Sequence, residues 1–254
     1  MITRKTSCDK WTMTGLYGKI LVNIGIWILV TEYKHMDLKH KIKLALPLIL
    51  YGVFYIVSFK LLEGIEWDHY ITPYVAIDHM IPFVPAFVIP YLAWFVWVPF
   101  VLVVLLFEDE KEFIRSSHML MIGMTLFLLF SAFIPTRLFI RPYADPNGGF
   151  FMFLLSCLYG ADTPTNVFPS IHVYNTCATL YSILISKAEL FQRKWFRIFA
   201  IILTILICLS TMFIKQHSII DVIGAIVMFF IVAALIQEYH KKHDKADNAA
   251  EMKQ

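Results

Sequence analysis

The chain has few of the residues that define several common kinds of site. Its four cysteines form no CxxC pair, so we predict neither a disulfide framework nor a zinc site. Its ten glycines form no dinucleotide-binding or P-loop pattern. Only 16% of the residues are charged, and the net charge of +3 gives no indication of nucleic-acid binding. We therefore predict no cofactor, no metal and no nucleic-acid partner.

Apolar residues are plentiful instead. They make up 59% of the chain, and the mean hydropathy is +0.67, which is typical of an integral membrane protein. A spanning helix needs about 20 apolar residues. The sequence predicts an all-α bundle of six transmembrane helices, at about 43–60, 87–107, 117–135, 171–188, 196–213 and 218–237. Segment 17–31 is shorter and polar in places, so we predict an interfacial helix, with a seventh span as the alternative.

These runs divide the chain into three parts. We expect an N-terminal segment over 1–40, a six-helix catalytic domain over 41–238, and a charged, frayed tail over 239–254. If the six helices alternate, nearly all of the 22 Lys and Arg residues share the side of the two termini. The positive-inside rule then places the termini in the cytoplasm of a multi-pass protein of the cell inner membrane. The exceptions, on the outer side, are Lys60, Arg137, Arg141 and Lys215.

Three polar clusters fall at helix ends on this outer side: 135–143, 166–172 and 215–221. In the last cluster, His217 and Asp221 are four residues apart, so on a helix they share a face. The carboxylate would fix the imidazole tautomer and leave the other ring nitrogen free to attack. A polar pair at the membrane boundary is the alternative interpretation.

The stretch "NVFPSIH" (166–172) predicts a helix start, with Pro169 as its first helical residue. The unpaired backbone N–H groups of such a start, together with the Ser170 hydroxyl, would form a seat for an anion. His172 would lie in the first turn, next to that anion. Taken by itself, the stretch is better explained as a capped helix start with an interfacial histidine.

Three cations accompany the histidines. Arg137 and Arg141 are four residues apart, and Lys215 lies two residues before His217. Each cation has an ordinary role as an anchor at lipid headgroups, but ionisable groups near membrane helices are costly and gather at functional sites. Together with the histidines, they supply a nucleophile, a proton donor and phosphate ligands for metal-free phosphoryl transfer.

At these residues the chain resembles the type 2 phosphatidic acid phosphatase superfamily, membrane lipid phosphatases related to vanadium haloperoxidases and to inositol phosphorylceramide and sphingomyelin synthases. The family pattern is a Lys six residues before Arg-Pro, then Pro-Ser-Gly-His, then Ser-Arg-x5-His-x3-Asp. The matching stretches here are Arg141-Pro142, Pro169-Ser170-Ile171-His172, and Ser210-Thr211 followed by His217 and Asp221. The chain departs from the pattern at Ile134, Ile171 and Thr211, and we predict that Arg137 and Lys215 replace the two missing cations.

The resemblance implies that His217 forms a phosphohistidine, that Asp221 is its partner and that His172 protonates the leaving oxygen. It also implies that Arg141, Ser170 and the backbone at Ile171 hold the phosphate. The implied function is a metal-independent lipid phosphatase of the outer membrane face, acting on a phospholipid or isoprenoid phosphate. A lipid headgroup phosphotransferase with the same chemistry and a non-catalytic lipid-binding protein with a relic site are the alternatives. Loop 61–86 is predicted to be an interfacial cap and is assigned no chemistry.

Overall fold

The computed structural model describes residues 38–251, and within them almost every ordered element is a helix. The prediction of an interfacial helix at 17–31 lies outside the described residues. A 3-10 turn, Pro85–Phe87, leads into the third helix. The α-helices are α1 (Leu38–Glu63), α2 (Ile77–Met80), α3 (Val88–Glu108), α4 (Glu110–Phe133), α5 (Phe150–Ala161), α6 (Ile171–Ile185), α7 (Glu189–Gln192), α8 (Lys194–Phe213) and α9 (Ile219–Glu251).

Five of the described helical segments are long and apolar enough to cross a membrane, and they indicate an integral membrane protein. They are α1, Pro85–Glu108, α4, α8 and Ile219–Lys242 of α9. The remaining predicted span, 171–188, corresponds to the 15-residue helix α6. At 1.5 Å per residue α6 is about 22 Å long, which is less than the roughly 30 Å of a bilayer core. Five of the six predicted spans are therefore found as candidate spans, and the count of six is not confirmed.

Helix α6 is short because its two ends are fixed by the protein. At its start, the Ser170 side chain caps the helix by accepting a hydrogen bond from Val173 N. At its end, Asp109 Oδ2 accepts from Ser186 Oγ at 2.8 Å and from Lys187 N at 2.7 Å. Asp109 is also the N-cap of α4. The two ends of α6 thus lie at opposite ends of the bundle, as an alternating chain requires.

The packing around α6 is close, and its main neighbours are α3, α4, α8 and α9. Tyr174 on α6 is fully buried and lies directly over Gly123 of α4, where an added Cβ would overlap the tyrosine ring. Its hydroxyl donates to Met119 O at 2.7 Å. Because lipid tails are as apolar as these side chains, close packing of this kind is what holds membrane helices together.

Helix α1 lies at the periphery, and most of its large apolar side chains are exposed. It contacts the bundle through Phe59, whose ring centroid lies 5.8 Å from that of Phe127, and through Glu63, which accepts a hydrogen bond from Thr163 Oγ1 at 2.8 Å. The chain from Lys43 onward forms one compact unit. At the other terminus, α9 continues through Glu251, so the prediction of a frayed tail is wrong for 239–251.

Candidate active site

A pocket lies at the end of the bundle where α6 begins. The structure brings residues of all three predicted polar clusters to its wall. The lining residues are Phe59, Phe127, Arg141, Asp162, Thr163, Thr165, Asn166, Val167, Ile171, His172, Gln216 and His217. The lining includes both aromatic and polar side chains, so the pocket is suited to a ligand that has both characters.

His217 lies in the short connection between α8 and α9, and its ring is held from one side. Nδ1 lies 3.0 Å from Val167 O and 3.5 Å from Asp221 Oδ2. The same carboxylate oxygen accepts a hydrogen bond from Ser218 N at 2.8 Å, which fixes its position. Both contacts of Nδ1 are with acceptors, so they favour a proton on Nδ1 and leave the lone pair on Nε2. Nε2 is therefore the nucleophilic atom of this ring.

His172 lies in the first turn of α6, with its ring centroid 5.9 Å from that of His217. The rings of Tyr91 and Trp94 flank it, each with a centroid distance of 4.5 Å. Tyr91 Oη lies 3.5 Å from His172 Nδ1 and donates to Asp162 Oδ2 at 3.3 Å. Asp162 is thus connected to Nδ1 of His172 through the Tyr91 hydroxyl, whereas Asp221 contacts Nδ1 of His217 directly.

Sequence reasoning missed Asp162 and Tyr91. Tyr91 lies in the middle of an apolar run and gives no signal of its own. Asp162 does give one, because it is an acid directly after the apolar stretch 150–161 and four residues before the stretch that begins at Asn166. Burial raises the pKa of the Asp162 carboxyl above its usual range, and the positive charge of Arg141 opposes that shift.

Arg141 reaches the pocket through a loop that has no helical structure. Its two terminal nitrogens donate to Asp162 O at 2.6 Å and to Thr163 O at 3.0 Å, and its guanidinium lies over the Tyr159 ring. Burial lowers the pKa of Arg141, and Asp162 opposes this effect. Among the lining residues in the described part of the chain, Arg141 is the one Lys or Arg.

The other two predicted cations lie elsewhere. Lys215 Nζ donates to Asp78 O at 2.9 Å and to Ile81 O at 2.6 Å, so it fastens loop 61–86 to the connection that carries His217. The guanidinium of Arg137 lies over the rings of Tyr70 and Phe139, 5.6 and 5.1 Å from their centroids. Neither residue is among the lining residues of the pocket, and their replacement of the missing family cations stays a prediction.

Ser170 caps a helix in this structure, and its predicted contact with phosphate stays a prediction. Its hydroxyl serves as the helix cap, and its backbone N donates to Asp221 O at 3.1 Å. Pro169 precedes this cap and is not the first helical residue. Ser170 therefore connects the start of α6 to the first turn of α9. Ile171 and His172 line the pocket, and Ser170 is not among its lining residues.

Loop 61–86 contributes one further buried side chain. Asp78 Oδ1 accepts from Ile219 N at 2.9 Å, at the start of α9, and its Oδ2 accepts from Val75 N at 3.0 Å. A carboxylate at a helix N-terminus is favourable because it pairs with unpaired N–H groups there. With Lys215, Asp78 holds the loop against the end of the bundle that carries the site. In the described residues, no group of three or more His, Cys, Asp or Glu side chains has the arrangement of a metal site.

A bundle of apolar helices with two histidines and an arginine around one pocket defines a membrane protein with a histidine-containing pocket. The family model of the PAP2 superfamily matches residues 140–245, a segment that holds Arg141, Ser170, His172, His217 and Asp221. This match supports membership of the type 2 phosphatidic acid phosphatase superfamily, as the motifs predicted. At that level, the chain fits a phosphatase or phosphotransferase acting in a bilayer. No curated protein and no solved structure gives a significant match to the chain.

Proposed function

We propose that the protein is a metal-independent lipid phosphatase that works through a phosphohistidine on His217. The observation that carries this proposal is the pair of histidine rings on one pocket wall, with centroids 5.9 Å apart and each ring contacted at its Nδ1. A nucleophile and a proton donor on either side of a phosphorus atom need this arrangement.

In the first step, Nε2 of His217 attacks the phosphorus atom, and the bond from phosphorus to the ester oxygen breaks. His172, as the imidazolium, gives its proton to the departing alkoxide, so the product leaves as an alcohol. Asp221 stabilises the positive charge that develops on the His217 ring. Arg141 balances part of the phosphate charge.

In the second step, His172 is neutral and takes a proton from a water molecule as that water attacks the phosphohistidine. The bond between phosphorus and Nε2 breaks, and inorganic phosphate leaves. His172 is again the imidazolium and His217 is again neutral, so the cycle closes without a metal ion. The Tyr91 hydroxyl keeps the His172 ring in one orientation through both steps.

The lining supports a lipid as the substrate. Phe59 of α1, Phe127 of α4 and Ile171 lie on the same wall as the histidines. A phosphate ester with an apolar chain places its charged group at the histidines and its first methylene groups against these side chains. A phospholipid or isoprenoid phosphate in the outer leaflet fits this description, and the cytoplasmic location of both termini is part of the proposal.

A headgroup phosphotransferase is the second candidate, and Asp162 favours it. Its carboxyl lies on the pocket wall beside the proposed phosphate position. There it can accept a hydrogen bond from the hydroxyl group of the alcohol that receives the phosphate. In that reaction the acceptor oxygen replaces water in the second step. The third candidate, a lipid-binding protein with a relic site, would bind phosphate without turnover.

The deciding experiment measures phosphate release by detergent-purified protein from a panel of lipid mono- and diphosphates in excess EDTA. We expect wild type to release phosphate and His217→Ala to lose at least about a thousandfold of that rate. His69→Ala, a change of an exposed histidine in loop 61–86, is the matched control and should act like wild type. Brief exposure to labelled substrate should leave an acid-labile, alkali-stable label on wild type and on His69→Ala, but not on His217→Ala.

Two results would contradict the proposal. Activity that disappears in EDTA and returns with magnesium would assign the chemistry to a metal. Label transfer from a phospholipid to an added lipid alcohol, without release of free phosphate, would assign the protein to the phosphotransferases.

A further inference from the structure

Gln216, the residue before His217, is an anomaly in the pocket. It is only 1% exposed, and it lines the same pocket as the two histidines. Neither its Oε1 nor its Nε2 has a hydrogen-bond partner within the described part of the chain. Leaving a buried amide unpaired is costly, so such a group in a native structure calls for an explanation.

The backbone around Gln216 explains how the side chain is held. Lys215 has a positive φ of 55°, which ends the helical path of α8, and the backbone N–H groups of Gln216 and His217 both donate to Thr211 O, at 2.9 and 3.0 Å. This turn at the end of α8 fixes the backbone of Gln216 and His217 together. A side chain on it is therefore positioned as firmly as the nucleophile.

The pocket also lacks positive charge. A phosphate ester carries up to two negative charges, whereas Arg141 is the one Lys or Arg on the described wall and its two terminal nitrogens already donate to carbonyl groups. Thr211, where the family pattern has an arginine, donates back to Cys208 O at 2.8 Å. An uncharged donor at the wall would satisfy a phosphate oxygen without the cost of burying a second cation.

A second amide stands nearby. Asn166 lines the pocket, is buried, and has an Oδ1 without a partner among the described residues. Asn166 comes directly before Val167, whose carbonyl contacts His217 Nδ1. The segment around Val167 and the segment that carries His217 thus each place one amide side chain, Asn166 or Gln216, on the pocket wall.

We propose that Gln216 is a phosphate ligand, whose Nε2 donates to an oxygen of the phosphate group that His217 attacks. The inference rests on the proposed function, since it assigns a ligand to the same phosphate. It makes Gln216 a neutral substitute for the cations that this chain lacks in its pocket.

The test is the binding of inorganic orthophosphate to the full-length protein in detergent, measured by calorimetry, with KM and kcat for a lipid phosphate as a second readout. Gln216→Met keeps the length of the side chain and removes its hydrogen bonds. We expect it to weaken phosphate binding by about tenfold or more and to raise KM, because a hydrogen bond to a charged group is lost. Gln237→Met, a change of an exposed glutamine on α9, is the control.

Gln216→Glu is the second variant, and it keeps the shape of the side chain. Its carboxylate should repel phosphate and weaken binding further than Gln216→Met does, and acidification should restore part of the loss relative to wild type. A Gln216→Met protein that binds phosphate as wild type does, with equal or higher thermal stability, would overturn the inference and leave the proposed function standing. Wild-type protein that neither binds phosphate nor releases it from lipids would overturn both.

Discussion

The balance of charge around Arg141 and Asp162 determines how this pocket treats an anion. Asp162 places a carboxyl on the wall of a site proposed for phosphate, which is unfavourable while that carboxyl is ionised. Burial raises the pKa of Asp162, and Arg141 lowers it again to a smaller extent. The ionised form thus carries a cost in the folded protein, and protonation as the pH falls removes its negative charge.

We predict that anion binding in wild type tightens as pH falls through the raised pKa of Asp162, and that Asp162→Asn binds more tightly at neutral pH. The gain should be roughly threefold to tenfold, as for removal of one nearby like charge. Sulfate is the probe because its own charge is constant over this range, and calorimetry from acidic to neutral pH is the measurement. The prediction concerns the difference in affinity between the two proteins at each pH.

Asp145→Asn, a change of an exposed acid in the loop after Arg141, is the control for net charge and should reproduce the wild-type profile. If Asp162→Asn and wild type had the same affinity at every pH, Asp162 would have no influence on the anion site.

The residues of the site were predictable where spacing alone carries the information. His217, in the connection before α9, contacts Asp221 in the first turn of α9, and His172 follows the cap of α6, as the motifs indicated. The prediction for Arg137 and Arg141 assumed a helix that would bring residues four apart to one side. The structure has no helix there, so the two guanidinium groups diverge. Lys215 has a left-handed backbone, which the sequence periodicity does not reveal, and its Nζ donates to carbonyl groups of loop 61–86.

At the scale of helices, the apolar runs predicted α1, α3, α4, α8 and α9 well, because a bilayer demands about 20 apolar residues from each. The run 171–188 was overestimated. Its last residues are held by Asp109 and do not continue the helix, a tertiary contact that no local pattern reveals. Helix α5 was missed within the predicted loop 136–170, since its 12 residues are too few for a span.

The packing of α4 on α6 depends on Gly123, and we predict that Gly123→Ala destabilises the bundle. The new methyl group would overlap the fully buried ring of Tyr174, which is also tied to Met119 O. Overpacking of this kind costs about 1–3 kcal/mol. We expect a clear drop in the midpoint of thermal unfolding in detergent, together with weaker phosphate binding, because α6 carries His172.

Gly52→Ala supplies the matched control. Gly52 lies on α1 with no atom within 4 Å of an added Cβ, so the same change there should leave the midpoint unchanged or raise it slightly through helix propensity. Equal midpoints for Gly123→Ala and Gly52→Ala would show that α4 and α6 do not depend on this close approach.

At the scale of the whole molecule, the polar elements are divided unequally between the two ends of the bundle. The site end holds the histidines, the Asp78–Lys215 contact and few basic residues. The opposite end holds the α3–α4 junction at Asp109 and the basic stretch 187–197. Short loops rich in Lys and Arg stay on the cytoplasmic side of a membrane, so this distribution supports the proposed outer location of the site.

We predict that the site end faces away from the cytoplasm. In a background with all four cysteines replaced by serine, Asn147→Cys places a thiol on the exposed loop at the site end, and Lys187→Cys places one at the opposite end. A membrane-impermeant maleimide should label position 147 in intact cells and position 187 only after the membrane is opened. Both variants should keep wild-type phosphate release, since neither residue lines the pocket. The reverse labelling pattern would place the histidines in the cytoplasm and limit the enzyme to lipids of the inner leaflet.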